Sequence, residues 1–267
     1  MKYNLQTLPL EKIKADVVLS LGSNCRVAHY LRKHHLRLWT SPLDWMLHTN
    51  LESAYELFKS GFKNFFTDCS LEGEIETSKA RKKLIVKDNQ TGMVSLHHFF
   101  PNESLEIQVQ RIREQTFKRW EIMKHKLSNS QNIILIFTGV ANLEELTSFL
   151  EKFCSLDFMS EAKKKGGGII LICISNDKNL KADEITMQKT QIAQNKIIFE
   201  YFLNEENGDT LRGNALFWDK LMKSIQMSRK IKFKNALNDF RIRFLRSCKK
   251  RIAFFTKSYK NDINETH

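Results

Sequence analysis

The chain has 267 residues, 42% hydrophobic and 27% charged, enough for one substantial core with an appendage and ordinary for a globular protein. Its net charge of +13 is concentrated: of 43 basic and 30 acidic residues, 12 and 3 fall in Arg229–His267, so that stretch alone carries +9. Any nucleic-acid or membrane argument therefore rests on the tail, and five scattered cysteines without a Cys-x-x-Cys pair exclude a disulfide scaffold and a zinc ribbon.

Met1 to Lys14 lacks the apolar core of a secretion signal, and no run approaches the ~20 apolar residues of a spanning helix. A reducing, cytoplasmic setting is the expectation.

The first element is a buried-strand run, Val17 to Leu21, followed by the turn Gly22-Ser23-Asn24 and a helical pattern from Cys25 to about Lys33. That order puts Cys25 at the first turn of a helix, where free N–H groups and the dipole favour a thiolate. The amides from Ser23 to Arg26 are placed to hold a developing oxyanion. The competing reading of Cys25 is a small apolar residue buried at a strand–helix junction.

Next come Trp39 and Trp45 about a Pro42 turn, then a helix capped by Asn50 and ended by Gly61. Residues 67 to 82 read as polar and irregular. Lys83–Lys87 and Met93–Phe99 read as a hairpin about Asp88–Gly92, the second strand ending in His97-His98. Leu105 to Lys126 carries the longest helical pattern. Asn132–Thr138, Ile169–Ile174 and Lys196–Leu203 are further apolar strands, and Leu143–Phe153 and Ala215–Met227 further helices. Continuous apolar strands alternating with amphipathic helices predict an α/β fold, a mostly parallel sheet covered on both faces in three layers. Residues 1–228 form the expected catalytic domain and 229–267 a basic amphipathic helical tail.

Ligands of open parallel sheets bind beyond the strands' carboxyl ends, and Cys25 is the one strong nucleophile there. A cysteine nucleophile needs a base within reach. The other histidines read as surface, packing or helix-end residues, which leaves His97 and His98. Neighbours on a strand diverge, and no His-x-His or His-Glu-x-x-His spacing exists, so no metal site is expected.

Ser20-Leu21-Gly22-Ser23-Asn24-Cys25-Arg26, then Ser41-Pro42-Leu43-Asp44-Trp45, then Gly92 to His97-His98-Phe99 resemble a bacterial family of unknown function described as papain-like cysteine peptidases. By position the resemblance implies Cys25, Asp44 and His97 as the catalytic group, with Arg119 matching the second of two arginines on a basic helix. This chain departs from the pattern at Leu43 for Phe, Lys118 for Arg and His98 for Asp. If the missing acid oriented the histidine, that role is vacant or belongs to Asp44. The likeness covers roughly residues 16–125 and is weaker beyond.

The order strand, turn, nucleophile is nearer to the elbow of α/β hydrolases than to the long helix of papain. Similar capsule-biosynthesis proteins with a Cys–His pair point to acyl transfer in surface-polysaccharide or glycoconjugate metabolism. The expected function is a cysteine hydrolase or acyltransferase using Cys25, His97 and Asp44, with Gly22, Ser23, Asn24 and Arg119 around the oxyanion and substrate. The substrate class, peptide, glycan or small molecule, stays open. No cofactor is implied unless transfer draws on coenzyme A or another acyl donor. The alternative is a non-enzymatic assembly module for polysaccharide machinery with a structural Cys25.

In the tail, Phe233, Leu237, Phe240, Phe244, Cys248, Ile252 and Phe255 recur at three- and four-residue spacing, one helical face among basic residues. Three outcomes compete: packing on the domain, peripheral contact of 229–260 with an anionic membrane, and nucleic acid, which no reading motif favours.

Overall fold

The computed structural model describes residues 1–77, 81–164, 166–205 and 212–237, together with 240, 241 and 244. In chain order the first half holds β1 (Lys2–Asn4), β2 (Ile13–Lys14), β3 (Val17–Ser20), α1 (Arg26–Lys33), β4 (Met46–Leu47), α2 (Leu51–Ser60), β5 (Cys69–Thr77), β6 (Arg81–Asp88) and β7 (Val94–Phe99). The second half holds α3 (Leu105–Ser128), β8 (Ile133–Thr138), α4 (Leu143–Ser155), α5 (Ser160–Lys164), β9 (Ile169–Asn176), β10 (Glu184–Ala193), β11 (Lys196–Leu203), α6 (Ala215–Ser224) and β12 (Ile225–Gln226).

The fold is mixed α/β. A six-stranded sheet has the order β1-β10-β11-β9-β8-β3. Its strands β3, β8, β9 and β11 pair in parallel, in keeping with their largely apolar composition and burial on both faces. Val17, Leu19, Ile133, Leu135, Ile169 and Leu171 share one buried cluster with Leu57 and Phe58 of α2, Trp120 and Met123 of α3, and Leu150 and Phe153 of α4. On the other face Tyr30 of α1 stacks on Trp218 of α6 at 5.3 Å, and Phe217 meets Tyr201 of β11 at 5.3 Å. Asn50 caps α2 through an oxygen that accepts from the Ser53 amide at 2.7 Å, and Gly61 closes it at φ +63°.

Two expectations are corrected. The sheet is not mostly parallel across the fold: β10 and β1 add to it antiparallel, and a separate four-stranded sheet, β4-β7-β6-β5, is antiparallel throughout. The physical reason is that both additions run through polar strands, which face water on one side and carry no continuous apolar run. The stretch 67–82, expected to be irregular, holds β5, an outer strand whose Leu71 and Ile75 are exposed.

The chain divides into two compact units, Met1–Met227 and Ser228–His267. In the second, residues 229–237 are helical. Most of the expected amphipathic helix beyond Leu237, and with it the proposed membrane face, lies outside the described residues. No helix among the described residues is long and apolar enough to cross a membrane.

Candidate active site

β3 delivers the chain to the site through a strained turn. Gly22 has φ +90° and Ser23 φ +74°, two successive left-handed residues that reverse the chain between strand and helix. A Cβ on Gly22 would stand 2.5 Å from Oγ1 of Thr49, so only glycine fits. The turn is pinned from both sides: the Gly22 amide donates to Oγ of Ser20 at 3.2 Å, and Thr138 at the end of β8 donates to the Gly22 carbonyl at 3.3 Å.

Cys25 follows as the N-cap of α1. The Arg26 amide, expected among the oxyanion donors, is taken by the Asn24 side chain at 2.9 Å. The amides of Ser23, Asn24 and Cys25 donate to no other group among the described residues. Arg26 anchors this end of α1 from below, its Nη1 3.2 Å from Oε2 of the buried Glu205. Glu205 also accepts from Nε1 of Trp218 at 3.1 Å and from the Asn214 amide at 3.0 Å.

His97 reaches Cys25 from the second sheet. Leu84 of β6 pairs with Phe99 and Val86 with Ser95, so Leu96, His97 and His98 stand against Ile85 alone. A bulge of this kind re-aims side chains beside it. The result is an Sγ of Cys25 3.4 Å from Nε2 of His97, across 72 residues of sequence. Met46 and Leu47 of β4 pair with Ser95 and Val94, which brings the preceding Trp45 edge-on to His97, ring centroids 5.6 Å apart.

The other nitrogen of His97 meets Nζ of Lys83 at 3.3 Å. Asp44, read in sequence as the orienter of His97, points elsewhere. Its Oδ2 accepts from the Ser41 amide at 3.0 Å and from Nη1 of Arg37 at 3.2 Å, so the fully buried carboxylate closes the 41–44 turn instead. His98 takes no part in the pair; its Nδ1 lies 2.8 Å from Oγ of Ser95. Arg119 of α3 is half-buried near Asp44, Arg37 and His98, and makes no hydrogen bond or ion pair among the described residues.

The electrostatics depart from the expected thiolate. Burial pushes the Cys25 thiol up to about 11, with Lys83 pulling down and Asp44 adding to the rise. Desolvation disfavours the anion. Burial, and then Lys83, hold His97 below its ordinary value. His98 is lowered to about 4 by burial, with Arg119, His97 and Lys83 adding to it. At neutral pH the pair is therefore a thiol beside a neutral imidazole. Among the described residues no group of three or more His, Cys, Asp or Glu is gathered as a metal site. A cleft of about 780 Å³ between Phe62–Cys69 and the first half of α3 is lined by neither Cys25 nor His97.

Lys83 is the residue that sequence reasoning misses. The only signal for it is its place on the strand that hairpins with that of His97.

The α/β sheet ends a buried strand in a left-handed turn, with a thiol at the following N-cap and an imidazole at hydrogen-bond distance, which is the geometry a cysteine nucleophile needs. A family model described as "Putative papain-like cysteine peptidase (DUF1796)" matches residues 16–159, more than half of the chain, and the chain belongs to that family. "Uncharacterized protein R408" of Acanthamoeba polyphaga mimivirus is 34% identical over 61 residues, 23% of this chain and 27% of that protein, so the chain spans about a quarter of this relative's length. No solved structure matches the chain.

Proposed function

We propose that this protein is a cysteine hydrolase in which Cys25 is the nucleophile and His97 carries the proton. The observation that bears most weight is the 3.4 Å separation of Sγ and Nε2 beside a turn whose Ser23, Asn24 and Cys25 amides have no acceptor among the described residues. Sγ attacks an acyl carbonyl carbon and the S–C bond forms. The carbonyl π electrons move to oxygen, toward the amides of Ser23, Asn24 and Cys25. The sulfur's proton goes to solvent, and His97 gives a proton to the leaving group as the tetrahedral species collapses to a thioester. Water then attacks the thioester, giving its proton back through His97. A sugar hydroxyl in place of water turns the same steps into acyl transfer.

With both partners neutral at rest, the sulfur must give its proton to solvent before it attacks. This separates the site from one that holds a ready-made thiolate–imidazolium pair. Asp44 supports the reading as the residue that shapes the 41–44 turn and so places Trp45 against His97.

The test is alkylation of the folded full chain by iodoacetamide, followed peptide by peptide. Cys25 labelling should slow several-fold in His97→Ala while Cys69, in its separate cleft, keeps its rate. A Cys25 rate indifferent to His97→Ala defeats the proposal.

A further inference from the structure

A neutral imidazole has one N–H and one lone pair, and a lysine ammonium can only donate. Lys83 stands 3.3 Å from Nδ1 of His97, and Cys25 stands 3.4 Å from Nε2. Lys83 has no carboxylate partner among the described residues; its Nζ also lies 6.0 Å from the centroid of the Phe100 ring. The preceding Lys82 instead lies 3.8 Å from Glu74. The half-buried ammonium of Lys83 is thus spent on the histidine, at the atom where an acid would serve an imidazolium.

Resting on the Cys25–His97 reading, we propose that Lys83 is the positioning residue of this pair: by donating to Nδ1 it confines the ring proton to Nε2, facing Sγ, and it is the counter-charge for a Cys25 thiolate.

With the thiol intact, Nε2–H points at a weak sulfur acceptor. Removing one proton from the chain of three groups leaves a thiolate that accepts from Nε2–H, with the ammonium behind the ring. The same proton count also describes a thiol donating to Nε2, with Nδ1–H donating to a lysine amine. The two forms interconvert when one proton moves between Sγ and Nε2 and another between Nδ1 and Nζ, with none gained or lost. During acylation Nε2–H goes to the leaving group and Nδ1 is refilled from Lys83. During deacylation the water proton enters at Nε2, and the Nδ1 proton returns to Nζ. The other charged or titratable groups near the chain are Asp44 before β4, Arg37 after α1, His98 on β7 and Arg119 on α3, and all are retained in the variants below.

The experiment reads the His97 tautomer by ¹⁵N–¹H NMR in the full chain, together with the pH profile of Cys25 alkylation by iodoacetamide. The wild type should show the Nε2–H form. Lys83→Met should shift the ring toward Nδ1–H, move the Cys25 profile to higher pH, and slow labelling about tenfold at a fixed pH below the midpoint. Lys83→Arg keeps a donor cation and should retain the tautomer and stay within about threefold of wild type. A wild-type Nδ1–H form, or a Lys83→Met protein with unchanged tautomer and profile, overturns the proposal. If His97→Ala slows Cys25 while Lys83→Met does not, only the role of Lys83 falls; if neither slows it, the nucleophile reading falls as well.

Discussion

The indole of Trp45 meets the imidazole of His97 edge-on, with centroids 5.6 Å apart and planes at 80°. Burial is the chief cause of the lowered His97 value, and Trp45 is the ring in contact with it. Trp45→Ala should therefore let His97 titrate nearer its ordinary value, and Trp45→Phe should do so less. Titration of the His97 ring resonances by NMR checks this; an unmoved midpoint in Trp45→Ala would show that other groups desolvate the ring.

Asp44 is fully buried, and its carboxyl is raised from 3.8 to about 6 by burial, with Arg37 and the Ser41 amide opposing. Since the folded value lies above the unfolded one, the native state holds the proton more tightly. The linked stability is complete below about pH 4 and is lost as pH rises through about 6. The loss attributable to this group is on the order of 3 kcal/mol. Asp44→Asn should gain on the wild type by that order between acid and neutral pH in denaturant titrations. Parallel pH dependence of the two proteins would count against it.

Glu205 collects Arg26, the Trp218 indole and the Asn214 amide in a site only 4% exposed. Removing one partner of a buried pair leaves the other charge uncompensated. Glu205→Ala should cost about 3 kcal/mol in urea unfolding and Glu205→Gln less, since the amide keeps an acceptor. A cost under about 1 kcal/mol for the alanine variant would mean that water replaces the carboxylate.

Gly22 and Thr49 form a testable couple. Gly22→Ala should cost about 2–4 kcal/mol, from the positive φ and from the Thr49 hydroxyl 2.5 Å from the new Cβ. Thr49 Oγ1 is buried with no hydrogen-bond partner among the described residues, so Thr49→Ala alone should be mild. In the double variant about 1 kcal/mol should return, measured as a coupling energy in a double-mutant cycle. Strict additivity would assign the whole cost to the backbone.

The buried half of the fold is legible because its strands are largely apolar, β-branched and aromatic runs. Val17–Leu21, Asn132–Thr138, Ile169–Ile174 and Lys196–Leu203 leave no alternative to a doubly covered sheet. β5 and β10 are not legible for the opposite reason: their side chains are largely solvent-facing and their polar residues mimic loop. Cys25 stands out because strand, glycine turn and helix start are local signals, and His97 because a family pattern marks it. What each ring nitrogen or carboxylate oxygen touches is not local. The bulge opposite Ile85 aims His97 at Cys25 and Lys83, and the 41–44 turn consumes Asp44; neither leaves a trace in spacing.

The most direct measurement is acyl trapping. The full chain is mixed with p-nitrophenyl acetate, quenched in acid and mapped by mass spectrometry. A Cys25 nucleophile served by His97 predicts an acetyl group on Cys25 in the wild type, formed far more slowly in His97→Ala and absent in Cys25→Ala. Acetyl groups confined to Cys69 or to lysines, or acetylation of Cys25 at an undiminished rate in His97→Ala, would contradict it.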